Sequence, residues 1–110
     1  MRFVAVPIAI AFLALYSCHK EDLAISGCIQ DKIKYFNNYS CDSGANVMEY
    51  YFLGKPVYVF SMGACGGDLF EDVLDADCNM LGSLGGITGN TKIDHVDFST
   101  AEYKRTVWSK

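Results

Sequence analysis

The stretch Val47–Phe60, VMEYYFLGKPVYVF, narrows the possible folds more than any other part of the chain. Two runs of apolar, aromatic and β-branched residues stand on either side of Gly54-Lys55-Pro56, the pattern of a β-hairpin. On the first strand Met48, Tyr50 and Phe52 share one face, and Val47, Glu49 and Tyr51 share the other. On the second, Val57 and Val59 alternate with Tyr58 and Phe60. Both faces carry large apolar groups, so both need cover, while Glu49 marks its face as partly wet. The spacing predicts a helix over 28–37, capped by Ser26 or Gly27, with Cys28, Ile29, Ile33 and Phe36 on one face. That helix is expected to cover one face of the sheet and the chain termini the other, the alternative being an aromatic patch left open for a partner.

Downstream, Asn37, Asn38 and Ser40 end the helix, and Asp42-Ser43-Gly44 forms a turn. Residues 63–70 read as a loop, and 73–81 as a second hairpin turning near Asp77-Cys78-Asn79. Ser99 and Glu102 have the spacing of a capping box for a short helical turn. Arg105-Thr106-Val107-Trp108 then supplies a last strand, with the single tryptophan expected in the core. The expectation is an α+β fold: one N-terminal helix packed on a small antiparallel sheet of about four to five strands, stapled by disulfides. It is a single domain over 27–110.

The N-terminus carries a different signal. Residues 1–17 join a basic start to an apolar run and a small residue, the pattern of a removed secretory signal peptide. Leu15-Tyr16-Ser17-Cys18 resembles the lipobox of bacterial lipoproteins, which implies a lipid on Cys18; Tyr16 departs from it, standing where a small residue is usual. The charged run Lys20-Glu21-Asp22 is similar to the tag that sends lipoproteins of Bacteroidota to the cell surface. Residues 18–26 become a tether, and the protein is expected at the outer membrane, facing the periplasm or the cell surface. Beyond the signal there remain eight basic and thirteen acidic residues, a net charge of −5. Nucleic acid, which needs a basic footprint, is not an expected partner.

With Cys18 assigned to the lipid, Cys28, Cys41, Cys65 and Cys78 form an even set in an oxidising compartment. Of three possible connectivities, Cys28–Cys41 and Cys65–Cys78 are favoured, because each pair is thirteen residues apart and would close a loop beside the hairpin. Such a loop is worth about 3 kcal/mol in the chain-entropy model. Zinc is disfavoured, since no pair has the close spacing of a zinc knuckle.

The recurring elements are Val47-x-x-Tyr50-x-Phe52 with Gly54-Lys55, then Val57-Tyr58-Val59, and Cys65 followed by Asp68. Val73-x-Asp75-x-x-Cys78-Asn79, Leu84-Gly85-Gly86-Ile87-x-Gly89-Asn90 and Trp108 complete them. From Cys28 to Trp108 the chain resembles a family of short Bacteroidota lipoproteins known only as a domain of unknown function. His95 stands where a small residue is expected, a departure that touches a turn. The resemblance implies no catalytic residue.

No group of residues makes a convincing acid, base and nucleophile set, so no catalytic residue and no cofactor are expected. Asp75-x-Asp77-x-Asn79 is similar to the start of a calcium loop, but Met80 and Gly86 occupy the positions that want glycine and a bidentate acid. These three are weak metal candidates, with Asp68 and Asp72 as possible additions, and an Asp/Asn-rich hairpin turn is the better account. The glycines of 84–90 lack a phosphate-loop pattern. Cys65 with His95 is no nucleophile pair if Cys65 is a disulfide partner. The expected role is a lipid-anchored, non-enzymatic binding or interaction module presenting loops 62–70 and 84–92 to an envelope or extracellular protein. The alternatives are a protease inhibitor using Gly63–Phe70 and a weak calcium-binding module.

Overall fold

The computed structural model describes residues 24–66 and 69–110. The expected signal peptide over 1–17, Cys18, the charged run Lys20-Glu21-Asp22 and Asp68 lie outside the described residues. The helix α1 runs Gly27–Tyr39, and Ser26 caps it by accepting the Ile29 N–H on its hydroxyl. Its buried residues are Ile29, Ile33 and Phe36, the face given by their spacing. Ser26 also donates its hydroxyl to the Ala76 carbonyl at 2.7 Å, and Ile25 packs on the core. The last residues of the expected tether are therefore part of the fold.

Five antiparallel strands form the main sheet: β1 (Asn46–Phe52), β2 (Lys55–Ser61), β3 (Phe70–Asp75), β4 (Met80–Gly85) and a last strand, Glu102–Ser109. Two short strands precede that last one, β5 (Lys92–Ile93) and β6 (Val96–Asp97), so it is β7. The order across the sheet is β4-β3-β2-β1-β7. The β1–β2 turn is tighter than Gly54-Lys55-Pro56 suggests. Phe52 pairs with Lys55, and Leu53 and Gly54 both take positive φ, the geometry of a two-residue hairpin turn. Pro56 sits opposite Tyr51, one residue beyond the end of the β2–β3 ladder, where its missing N–H interrupts nothing.

The helix face of the sheet buries Val47, Tyr58, Phe60 and Leu74 against Ile29, Ile33 and Phe36. Trp108 is half-buried there, edge-on to Phe36. The opposite face buries Phe52, Val57, Val59 and Val73 beneath Ile93. Its cover is not the termini but the segment between β4 and β7. Those strands are opposite edges of one sheet, so residues 86–101 must cross its back, bringing Val96, Phe98 and Ala101 onto this core. Glu49 is partly buried, as expected of a partly wet face, and accepts from Arg105 Nε at 2.6 Å and from the Tyr58 hydroxyl.

Two further expectations are corrected. The disulfides join Cys28 to Cys78 and Cys41 to Cys65, not Cys28 to Cys41 and Cys65 to Cys78. Cys28 and Cys41 stand at opposite ends of α1, roughly 20 Å apart at 1.5 Å per residue, and β3 similarly separates Cys65 from Cys78. A disulfide needs Cα atoms within about 7 Å, so each bridge must join elements at one end of the molecule. The Ser99–Glu102 capping box does not form either. The short 3-10 turn is Phe98–Thr100, capped by Asp97, whose carboxylate accepts the Ser99 N–H, while Glu102 opens β7.

Candidate functional site

The registers sort the loops into two poles. At one, the tip of the β1–β2 hairpin lies near the β3–β4 turn, since Val57 pairs with Asp75. The start of α1 joins them there through the Ser26–Ala76 hydrogen bond and the Cys28–Cys78 bridge. Ala24 and Ile25, the described residues before Ser26, lead into α1 at this pole. The other pole holds residues 41–45, 62–66, 69 and 85–90, because Ser61 pairs with Glu71 and Phe70 with Gly85. The Cys41–Cys65 bridge and the hydrogen bond from Cys41 N–H to the Met62 carbonyl fasten its loops to the end of α1.

Two glycines make this loop pole possible. Gly63 has φ near 99°, and a Cβ there would lie 2.9 Å from the Ser43 carbonyl oxygen and 3.0 Å from Cys41 Cβ. Gly86 has φ near 76°, and its Cβ would strike the Phe70 ring at 2.7 Å. Asn90 closes the 86–89 loop. Its backbone exchanges hydrogen bonds with Gly85, and its side-chain amide donates to the Ser83 and Lys92 carbonyls. The loop so held thrusts Ile87 into solvent at 85% exposure, beside Phe70 at 58% and the exposed Leu69. The described residues of loops 62–70 and 84–92, which flank the β3–β4 hairpin, thus meet at one end of the sheet.

A cleft of about 510 Å³ opens on the back face next to this pole. The crossing segment forms one wall with Asn90, Thr91, Asp97, Phe98 and Ser99; Tyr50, Glu71 and Leu84 come from the sheet. The Tyr50 ring meets Phe98 and Tyr103 edge-on, at 5.2 and 5.7 Å between centroids. Burial pushes the Tyr50 phenol above its ordinary pKa, and the Glu71 carboxylate and Tyr103 add to the shift. The Ser99 N–H and hydroxyl hold the Asp97 carboxyl below the usual carboxylate range. Glu71 is half-buried, and its side chain makes no hydrogen bond or ion pair with a described residue.

The weak metal candidates serve a turn. Asp75 accepts the N–H groups of Asp77 and Asn79 at 2.9 Å on one oxygen and the Asn79 side-chain amide on the other. The Asn79 N–H is the main cause holding its carboxyl below the ordinary range. Among the described residues no three of His, Cys, Asp or Glu converge on a common point. Asp72 bonds the Ser83 hydroxyl instead of joining that turn. Cys65 is a disulfide partner, and His95 occupies a positive-φ position in the β5–β6 turn with Asp94. No helix among the described residues is long and apolar enough to cross a membrane. The cleft residues Tyr50, Glu71, Asp97, Phe98 and Ser99 formed no motif in the sequence; only the crossing of 86–101 brings them together.

Residues 33–110 match the family model described as a domain of unknown function (DUF6970), a match that starts inside α1 and runs to Lys110. No curated protein and no solved structure matches the chain.

Proposed function

Because the chain belongs to the DUF6970 family, whose description assigns no activity, we propose its function from the site itself. It is a non-enzymatic binding module of the cell envelope, held to the outer membrane by a lipid on Cys18, with the loop pole as its contact surface. The observation that carries this reading is the polarity of the fold. The chain enters beside Ala76 and Cys78, while the exposed Leu69, Phe70 and Ile87 gather at the opposite end. A tether from Cys18 would point that end away from the membrane. The Cys41–Cys65 bridge and the tight packing at Gly63 stiffen the contact surface, which lowers the entropy lost when a partner binds. The bilayer itself is then a partner only through the lipid.

The test is site-specific photo-crosslinking in the native cell, with the reactive residue at Ile87 or at Leu53, an exposed residue of the tethered pole. A discrete protein adduct at Ile87 and none at Leu53 is expected. Adducts at Leu53 alone, or none at Ile87, would sink the reading. Cys18→Ala should release the protein from the membrane fraction, and continued sedimentation with membranes would overturn the anchor.

A further inference from the structure

We propose that the back-face cleft takes a basic side chain, the guanidinium or ammonium of an Arg or Lys on the protein seated at the loop pole. This rests on the binding-module reading and names the chemistry of its partner. The cleft and the loop pole are continuous, since Glu71 and Gly85 line both the cleft and the hollow beside Leu69 and Phe70. A protein resting on Ile87 and Phe70 therefore has the cleft within reach of a long side chain. At about 510 Å³ the cleft lies within the usual range for small-ligand sites, ample for an Arg side chain and its flanking peptide.

The charge pattern selects the occupant. Two carboxylates, Glu71 from the sheet and Asp97 from the crossing segment, line the cleft, and no Lys or Arg does. Lys92 is the ladder partner of Asp97 and offsets part of its charge. The Glu71 side chain makes no hydrogen bond or ion pair with a described residue, though it is half withdrawn from water on the strand face that carries Val73. A carboxylate so placed gains most from a charged donor. Tyr50 and Phe98, packed edge-on to each other, line the same cleft as the two acids and supply aromatic surface for a cation and its methylene stem. Asn90, with its amide spent on Ser83 and Lys92, holds the wall in place.

The experiment titrates the full chain in detergent with N-acetyl-arginine amide and, in parallel, with N-acetyl-citrulline amide, which keeps the shape and removes the charge. Amide NMR shifts at Gly85, Asn90 and Ser99 report occupancy. Arginine amide should shift them saturably, and citrulline amide should bind at least about tenfold more weakly, as expected for loss of one charge-assisted pair. Glu71→Gln should weaken arginine binding about tenfold without lowering the melting temperature. Equal binding of the two amides, or no shift at the cleft with either, would overturn the inference. So would a Glu71→Gln variant that binds arginine amide unchanged. The Ile87 crosslink keeps the two readings apart: an adduct whose yield is indifferent to Glu71→Gln upholds the binding pole and overturns the basic-side-chain assignment.

Discussion

Removing the Cys28–Cys78 bridge, with both residues replaced by Ser, tests the central feature of this architecture. The bridge spans fifty residues, and the chain-entropy model assigns such a loop about 4 kcal/mol. The Cys41–Cys65 bridge spans twenty-four and receives about 3.5 kcal/mol on the same basis. A domain of this size has roughly 5–15 kcal/mol in total, so either loss approaches the limit of folding. Urea unfolding followed by Trp108 emission is the natural assay, because the indole lies 5.8 Å from the Phe36 ring and reports docking of α1. The midpoint should fall sharply, and the denaturant slope should rise as the unfolded chain loses its cross-link and exposes more surface. A loss below about 1 kcal/mol with an unchanged slope would refute the entropic account. The connectivity has its own check. Trypsin with Asp-N cuts the unreduced protein at Lys34, Asp31, Asp42, Asp68 and Asp77, leaving the four cysteines on separate peptides. A linked pair carrying Cys28 and Cys41 would refute the pairing outright.

Phe36 is 3% exposed and meets Phe60, Tyr39 and Trp108 edge-on, so Phe36→Ala should cost about 3–5 kcal/mol in the same assay; a cost under about 1 kcal/mol would mean that the helix is not seated as described. Gly63→Ala combines a positive φ with contact on the Ser43 carbonyl, and should destabilise by more than about 1 kcal/mol, whereas Gly27→Ala, which meets nothing within 4 Å, should not. Asp75 has a folded pKa depressed below its unfolded value of about 3.9, so its contribution is complete above that pH and is lost as pH falls through the folded pKa. The stability gap between wild type and Asp75→Ala should therefore be widest near neutrality and close on acidification below about pH 4. A gap that widens in acid would reverse the assigned sign.

The helix and the first hairpin were legible because their signals are local. Ile29, Ile33 and Phe36 mark one helical face whatever lies beneath it, and the runs on either side of Gly54 alternate as strands do. The turn itself was misplaced by one residue, since Leu53 takes a positive φ that nothing in its side chain advertises. The disulfides carry a sharper lesson. Equal thirteen-residue spacings point to local bridges, yet the helix expected over 28–37 already keeps Cys28 and Cys41 too far apart to bond. Secondary structure should veto cysteine arithmetic wherever a rigid element lies between the partners. The cover of the back face was not legible, because nothing in 86–101 states that β4 and β7 will be opposite edges of one sheet.

What the sequence determined by itself is the set of pieces: an amphipathic helix, strands apolar on both faces, four cysteines in an even set, and turns marked by glycine, asparagine and aspartate. Each is a property of residues within one or two turns of the chain, where sterics and side-chain period act directly. The tertiary structure alone decided which ends of those pieces meet. It paired Cys28 with Cys78 and Cys41 with Cys65, and set Glu71, Asp97, Tyr50 and Phe98 around one cleft. The physical reason is strand order: when β7 pairs with β1 instead of β4, the intervening chain must cross the sheet, and that crossing builds the cleft.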